Sequence, residues 1–310
     1  MNGKQITGMG SGRREFCQSV LTASASLLAP AVSVAADATE AECDRQLAVL
    51  VDTTICIGCR KCEWACNQEN RLSHRPREDF EDKSVYSRHR RPEWDAFTVV
   101  NEFADPHKSD KKYTMKIQCM HCLKPACVSA CIVGALTKDR QGPVVYDAWK
   151  CIGCRYCLIA CPFQIPAYEY HNAVDPQVRK CTFCIKRIKQ TGGVPACVEI
   201  CPNEALTFGT RAELLDAARV RINGAPDRYA DHVYGEHEAG GTGWLYIGPL
   251  DFKYTELPIL GSGPIPEFTE SIQHGIFKSF VPPLALYGLL GLIMHAVRNG
   301  GSDQETNHGH

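Results

Sequence analysis

Eighteen cysteines stand in a chain of 310 residues, and sixteen of them fall into four blocks of four. The blocks are Cys56, Cys59, Cys62 and Cys66; Cys119, Cys122, Cys127 and Cys131; Cys151, Cys154, Cys157 and Cys161; and Cys181, Cys184, Cys197 and Cys201. Only Cys17 and Cys43 stand outside. So many thiols point to disulfides, structural zinc or iron–sulfur clusters, and spacing separates the three. Block three reads Cys151-Ile152-Gly153-Cys154-Arg155-Tyr156-Cys157, with Cys161-Pro162 following. A C-x₂-C-x₂-C run wraps three thiolates around one cuboidal cluster, and the fourth cysteine reaches a different cluster. Blocks of this kind work in pairs. Block one repeats the spacing without the final proline. Block two is C-x₂-C-x₄-C-x₃-C with Ile132 where proline is usual, and block four places twelve residues between Cys184 and Cys197. Tetrahedral zinc prefers two separated pairs, often with histidine, and cysteines this close along the chain cannot all pair as disulfides without strain. The pattern therefore points to four 4Fe-4S clusters, with a structural zinc scaffold as the alternative of another class.

Several elements must position these blocks. A charged insert, 67–112, separates blocks one and two and carries Pro76, Pro92 and Pro106. Short strands are expected at Phe97–Val100 and Tyr113–Ile117, the second delivering the chain into block two. Another is expected over Ala205–Phe208. Thr210 and Glu213 have the spacing of a capping box, opening a helix that ends near Gly224. The glycine-rich stretch Tyr234–Leu250 reads as loop and strand around the cysteine core. Phe280–Ala296 is almost wholly apolar apart from Pro282, Pro283 and His295, with Lys278 before it and Arg298 after it. That stretch predicts one membrane-spanning anchor over 276–298, against a buried helix or a membrane-surface segment. His295 would sit at the interface near its end, in reach of a quinone or a partner helix.

Within block two, His121 is expected to pack or hydrogen-bond rather than ligate, since four cysteines are already present. Arg60, Lys61, Arg155, Lys180, Lys186 and Arg187 lie close enough in sequence to raise cluster potentials, or are solvated surface charge.

Composition narrows the class. Lys and Arg number 34 against 35 for Asp and Glu, so no basic field exists for nucleic acid. No Ser/His/Asp set, phosphate loop or telling carboxylate pair is present, which leaves no candidate catalytic residue. Arg13-Arg14-Glu15-Phe16, a small and apolar run from Cys17 to Val34, and Ser33-Val34-Ala35 together resemble a twin-arginine export signal over 1–35. A leader of that kind predicts a periplasmic protein that crosses the membrane already folded. Gly12 and Cys17 depart from the usual pattern.

Sixteen cysteines in this order resemble the four-cluster, ferredoxin-like subunits of formate dehydrogenases and dimethyl sulfoxide reductases. The leader, Gly209–Leu214, Tyr234–Thr242 and Ser271–His274 before an apolar tail are similar to the iron–sulfur subunit of hydrogenase-2-type NiFe uptake hydrogenases. The resemblance implies an α+β fold, a doubled ferredoxin-like 4Fe-4S domain over 46–209 with long loops. It implies a C-terminal extension over 210–275, then the single transmembrane helix and a tail, 299–310. It implies that Cys56, Cys59, Cys62 and Cys201 hold the first cluster, and Cys66, Cys181, Cys184 and Cys197 the second. Cys119, Cys122, Cys127 and Cys161 would hold the third, and Cys131, Cys151, Cys154 and Cys157 the fourth. The implied role is non-catalytic electron relay between the large and small subunits of a NiFe hydrogenase and a quinone-reactive integral membrane subunit. The same relay in a molybdopterin formate dehydrogenase or sulfur-compound reductase is the rival.

Overall fold

The computed structural model describes residues 40–73, 75–267 and 285–297. The expected export leader lies outside the described residues, as do Cys17, 276–284 of the expected anchor, and the tail. In chain order the helices are α1 (Glu40–Asp44), α2 (Lys61–Asn70), α3 (Ala126–Ser129), α4 (Tyr156–Ala160), α5 (Ile185–Thr191), α6 (Ala196–Glu199) and α7 (Arg211–Gly224). The strands are β1 (Leu47–Asp52), β2 (Thr98–Asp105), β3 (Lys108–Gln118), β4 (Leu136–Lys138), β5 (Val144–Tyr146), β6 (Ala167–Tyr168), β7 (Val178–Arg179), β8 (Leu206–Thr210) and β9 (Trp244–Ile247).

β1 is apolar from Leu47 to Val51, and a run like that needs cover on both faces. It has both. β1 is the middle of a three-stranded sheet, antiparallel to β8 and parallel to β9. Ala48 and Leu50, with Leu245 and Ile247, pack on α7 through Leu214, Leu215, Ala218 and Ile222. Val49 and Val51, with Leu206, Trp244 and Tyr246, face the core that holds Cys66, Cys119, Cys181 and Cys197. The sheet is thus a partition with a helix on one side and the cysteines on the other. α7 starts and stops where its sequence signals place it: Thr210 Oγ1 accepts from Glu213 N–H, and Thr210 N–H donates to Glu213 Oε2 at 3.0 Å.

One local expectation changes. The insert strands are longer than their apolar centres: β2 and β3 form an antiparallel hairpin that turns at Pro106 and His107. Pro106 needs no N–H at a turn, and the Asp105 carboxylate accepts from His107 N–H at 2.9 Å. The glycine-rich stretch supplies its expected strand as β9, at the edge of the three-stranded sheet.

The expected transmembrane anchor lies partly outside the described residues. Among the described residues no helix is long and apolar enough to cross a membrane. The described part of the anchor is a helix over 285–297. Leu286, Tyr287, Leu289, Leu290, Leu292, Ile293 and Met294 are exposed on it.

Candidate metal centres

The same backbone course occurs twice. Cys56–Cys62 and Cys151–Cys157 both turn through a left-handed glycine, Gly58 (φ 62°) and Gly153 (φ 70°). Both then pass a left-handed arginine, Arg60 (φ 58°) and Arg155 (φ 63°), into α2 and α4. Left-handed residues aim successive N–H groups into a concavity, which suits anionic sulfur. Accordingly Gly153 N–H lies 3.5 Å from Cys151 Sγ, Phe183 N–H 3.3 Å from Cys181 Sγ and Ala135 N–H 3.2 Å from Cys131 Sγ. Pro125-Ala126-Cys127-Val128 and Pro195-Ala196-Cys197-Val198 open matching short helices, α3 and α6. After each helix the carbonyls of Cys131 and Cys201 accept from Gly134 N–H at 3.1 Å and Glu204 N–H at 3.3 Å. Ile132 therefore keeps the turn that Pro202 makes in the other copy.

These loops bring together cysteines from different blocks. Cys56, Cys59, Cys62 and Cys201 line one cavity, and Cys131, Cys151, Cys154 and Cys157 line another. Cys66 has Cys181, Cys184 and Cys197 as electrostatic neighbours, and Cys122 has Cys119, Cys127 and Cys161. None of the described cysteines is in a disulfide. Nor, among the described residues, do three His, Cys, Asp or Glu side chains converge closely enough for one ion. Thiolates about 2.3 Å from a tetrahedral zinc would be crowded within about 4 Å of one another; a cuboidal group spreads its ligands wider. Burial, reinforced by the neighbouring thiols, pushes Cys127 and Cys181 up to about 12 and Cys157 and Cys184 up to about 11. Bare thiolates are disfavoured in these places, so the donor sets suit a cationic iron core that compensates four of them at once.

Of the six expected cations, Lys180 is buried, donating to the carbonyls of Val144 at 2.5 Å and Cys181 at 3.0 Å, and stands among the charges acting on Cys127. Arg60 is committed to Glu63 and to the carbonyls of Asp79 and Asp82. Arg155 lies over Tyr168 and Tyr170, and Arg187 bridges Glu69 and Glu199. Lys61 and Lys186 lie outside the core, with Lys186 at the rim of a cleft of about 370 Å³ beside Cys181 and Cys184. Sequence reasoning missed two others. Lys138 donates to the carbonyls of His121 and Cys122, and burial lowers its pKa to about 8. Lys116 is 2% exposed on β3, between buried Met115 and Ile117. Burial works against its charge, but the thiols of Cys197, Cys62, Cys181 and Cys66 prevail and raise its pKa. A lysine inside an apolar strand that feeds a cysteine block was the available signal. His121 is a packing residue as expected: its Nδ1 accepts from Val144 N–H at 2.9 Å and its ring meets Phe183 edge-on. Cys43 sits half-buried on α1.

Comparison with known proteins adds the family. The 4Fe-4S dicluster domain family matches residues 111–211. The hydrogenase-2 operon protein HybA of Escherichia coli O157:H7 is 36% identical over 313 residues, 89% of this chain and 94% of its own length. The chain belongs to the family of HybA and the formate dehydrogenase iron–sulfur subunits. The nitrate-inducible formate dehydrogenase iron–sulfur subunit of Escherichia coli K12 is 32% identical over 85% of this chain and 90% of its own length. A Nitratidesulfovibrio vulgaris protein is 50% identical over 222 residues; the chain spans 59% of that relative's length. As a member of the HybA family, the chain is an iron–sulfur electron-transfer subunit that carries 4Fe-4S clusters and is not the catalytic component.

Proposed function

We propose that the chain holds four 4Fe-4S clusters in the ligand sets above and passes single electrons from a NiFe hydrogenase to a quinone-reactive membrane subunit. The observation that carries this reading is that two four-cysteine cavities each draw three cysteines from one block and the fourth from another. The clusters supply reversible one-electron chemistry; the chain's own part is to space, bury and hydrogen-bond them. Gly58, Gly153 and their following turns hold the sulfurs apart, and the sheet keeps water from the inner thiols.

The two halves differ in cover, which supports a direction of exit. Around α2 the segment 77–87 packs against the cysteine loop and leaves Ile57 exposed: Arg77 lies 5.8 Å from the centre of a Trp64 ring, and Tyr86 Oη donates to Gly58 O at 2.6 Å. Around α4, in contrast, Ile132, Trp149, Ile152, Tyr156 and Ile159 are all exposed. Apolar surface of this kind marks an interaction site, and we assign it to the membrane subunit. The arginine pair and apolar run at the N-terminus support export by the twin-arginine route to the periplasmic side. The apolar helix over 285–297 supports attachment there, completed by the neighbouring residues or by a partner.

The deciding experiment purifies the native complex from membranes and follows iron, subunit identity and hydrogen-dependent quinone reduction together. About sixteen irons per chain, a NiFe subunit and hydrogen-driven reduction are expected. A formate dehydrogenase partner, which the similarity to that subunit family favours as the second reading, would keep the clusters and replace the donor. A colourless zinc protein would overturn both readings.

A further inference from the structure

We infer that Lys116 is a fixed positive charge shared by the first two cluster sites, and that it raises the reduction potentials of both. The inference rests on the cluster assignment above. Lys116 lines the cavity of Cys56, Cys59, Cys62 and Cys201, while Cys66, Cys181 and Cys197 of the second set also count among its close electrostatic neighbours. Its ammonium is held by neutral groups alone. It donates to Gln118 Oε1 at 2.9 Å and lies 4.4 Å from the centre of the Trp244 ring. Gln118 Nε2 donates to Tyr246 Oη at 2.6 Å, and Tyr246 Oη donates to the Lys116 carbonyl at 3.0 Å, so the whole arrangement is locked. Glu63, on α2 beside Cys62, is already taken by Arg60, Arg90 and Val100 N–H. Lys138 and Lys180 each satisfy two backbone carbonyls. Lys116 has one described acceptor for three donors.

A buried ammonium with no carboxylate partner needs an anion, and clusters held on four thiolates provide it on both sides. Reduction adds one electron and one negative charge with no bond broken. A nearby fixed cation stabilises the reduced form more than the oxidised one, and low surrounding dielectric strengthens the effect.

The test is an anaerobic redox titration of the full chain in its complex, read by electron paramagnetic resonance, with iron counted in every sample. In Lys116→Met two of the four midpoints should fall by at least tenfold in the one-electron reduction constant, about 59 mV each. Gln118→Glu keeps the lysine and gives it a carboxylate, and should lower the same two midpoints. Lys116→Arg should restore them. If Lys116→Met fails to load iron, Gln118→Glu decides. Unmoved midpoints in the loaded variants, or an equal fall of all four, would overturn the role of Lys116 and leave the cluster reading intact. A wild-type chain without iron would overturn both.

Discussion

At the scale of single residues, what matters is which positions tolerate no alternative. Gly58 needs φ of 62°, and a Cβ there would meet Thr114 Cγ2 at 2.7 Å and Tyr86 Oη at 2.9 Å. Gly192 has φ of 66° but open space around it. Gly192→Ala should cost only the left-handed penalty of about 1–2 kcal/mol and keep its iron, whereas Gly58→Ala should lose about four irons per chain. Iron analysis of the two purified variants checks this; equal iron in both would sink the argument. Glu63 makes a second case. Burial pushes its carboxyl up, but hydrogen bonds from Arg90 and Arg60 outweigh that and hold it below the ordinary range. Its contribution is therefore present above the unfolded carboxylate pKa and is lost as pH falls through the lower, folded value. Glu63→Gln leaves the buried Arg60 and the partly buried Arg90 without their anion, a loss of about 3–5 kcal/mol. Melting curves against pH should show a lower apparent Tm at neutral pH and a flatter decline on the acid side.

Among elements, local signals were legible and long-range pairings were not. Thr210 and Glu213 announce α7 because a capping box is settled within four residues. Thr210→Ala should cost about 1 kcal/mol, seen as a small fall in apparent Tm with iron unchanged. The cysteine spacing likewise reveals the nature of the centres, since each C-x₂-C-x₂-C loop is a local object. β9 was legible only as a strand, because its partner β1 lies almost two hundred residues earlier and parallel pairing leaves no mark at either end. The outer half of β3 was hidden by Lys108, Asp110, Lys111 and Lys112, which face solvent on a hairpin and carry no apolar alternation. Lys116 escaped because its role depends on thiols brought in by the fold from blocks one and four.

For the whole molecule, one sheet joins three distant parts of the chain: residues 47–52, 206–210 and 244–247. A chain ending at 267 retains all three and should load its full iron, measured by iron analysis of the purified chain. A chain ending at 243 lacks Trp244 and Tyr246, both wholly buried, and should be cleaved rapidly by protease and hold little iron. There is also a consequence for timing. At roughly 5–20 residues per second, β1 leaves the ribosome about 10–40 s before β9 exists to flank it. Cys56 waits nearly as long for Cys201. The first block made is thus among the last enclosed: its cysteine set is complete only once Cys201 is made, and the sheet that covers it only once residue 247 is.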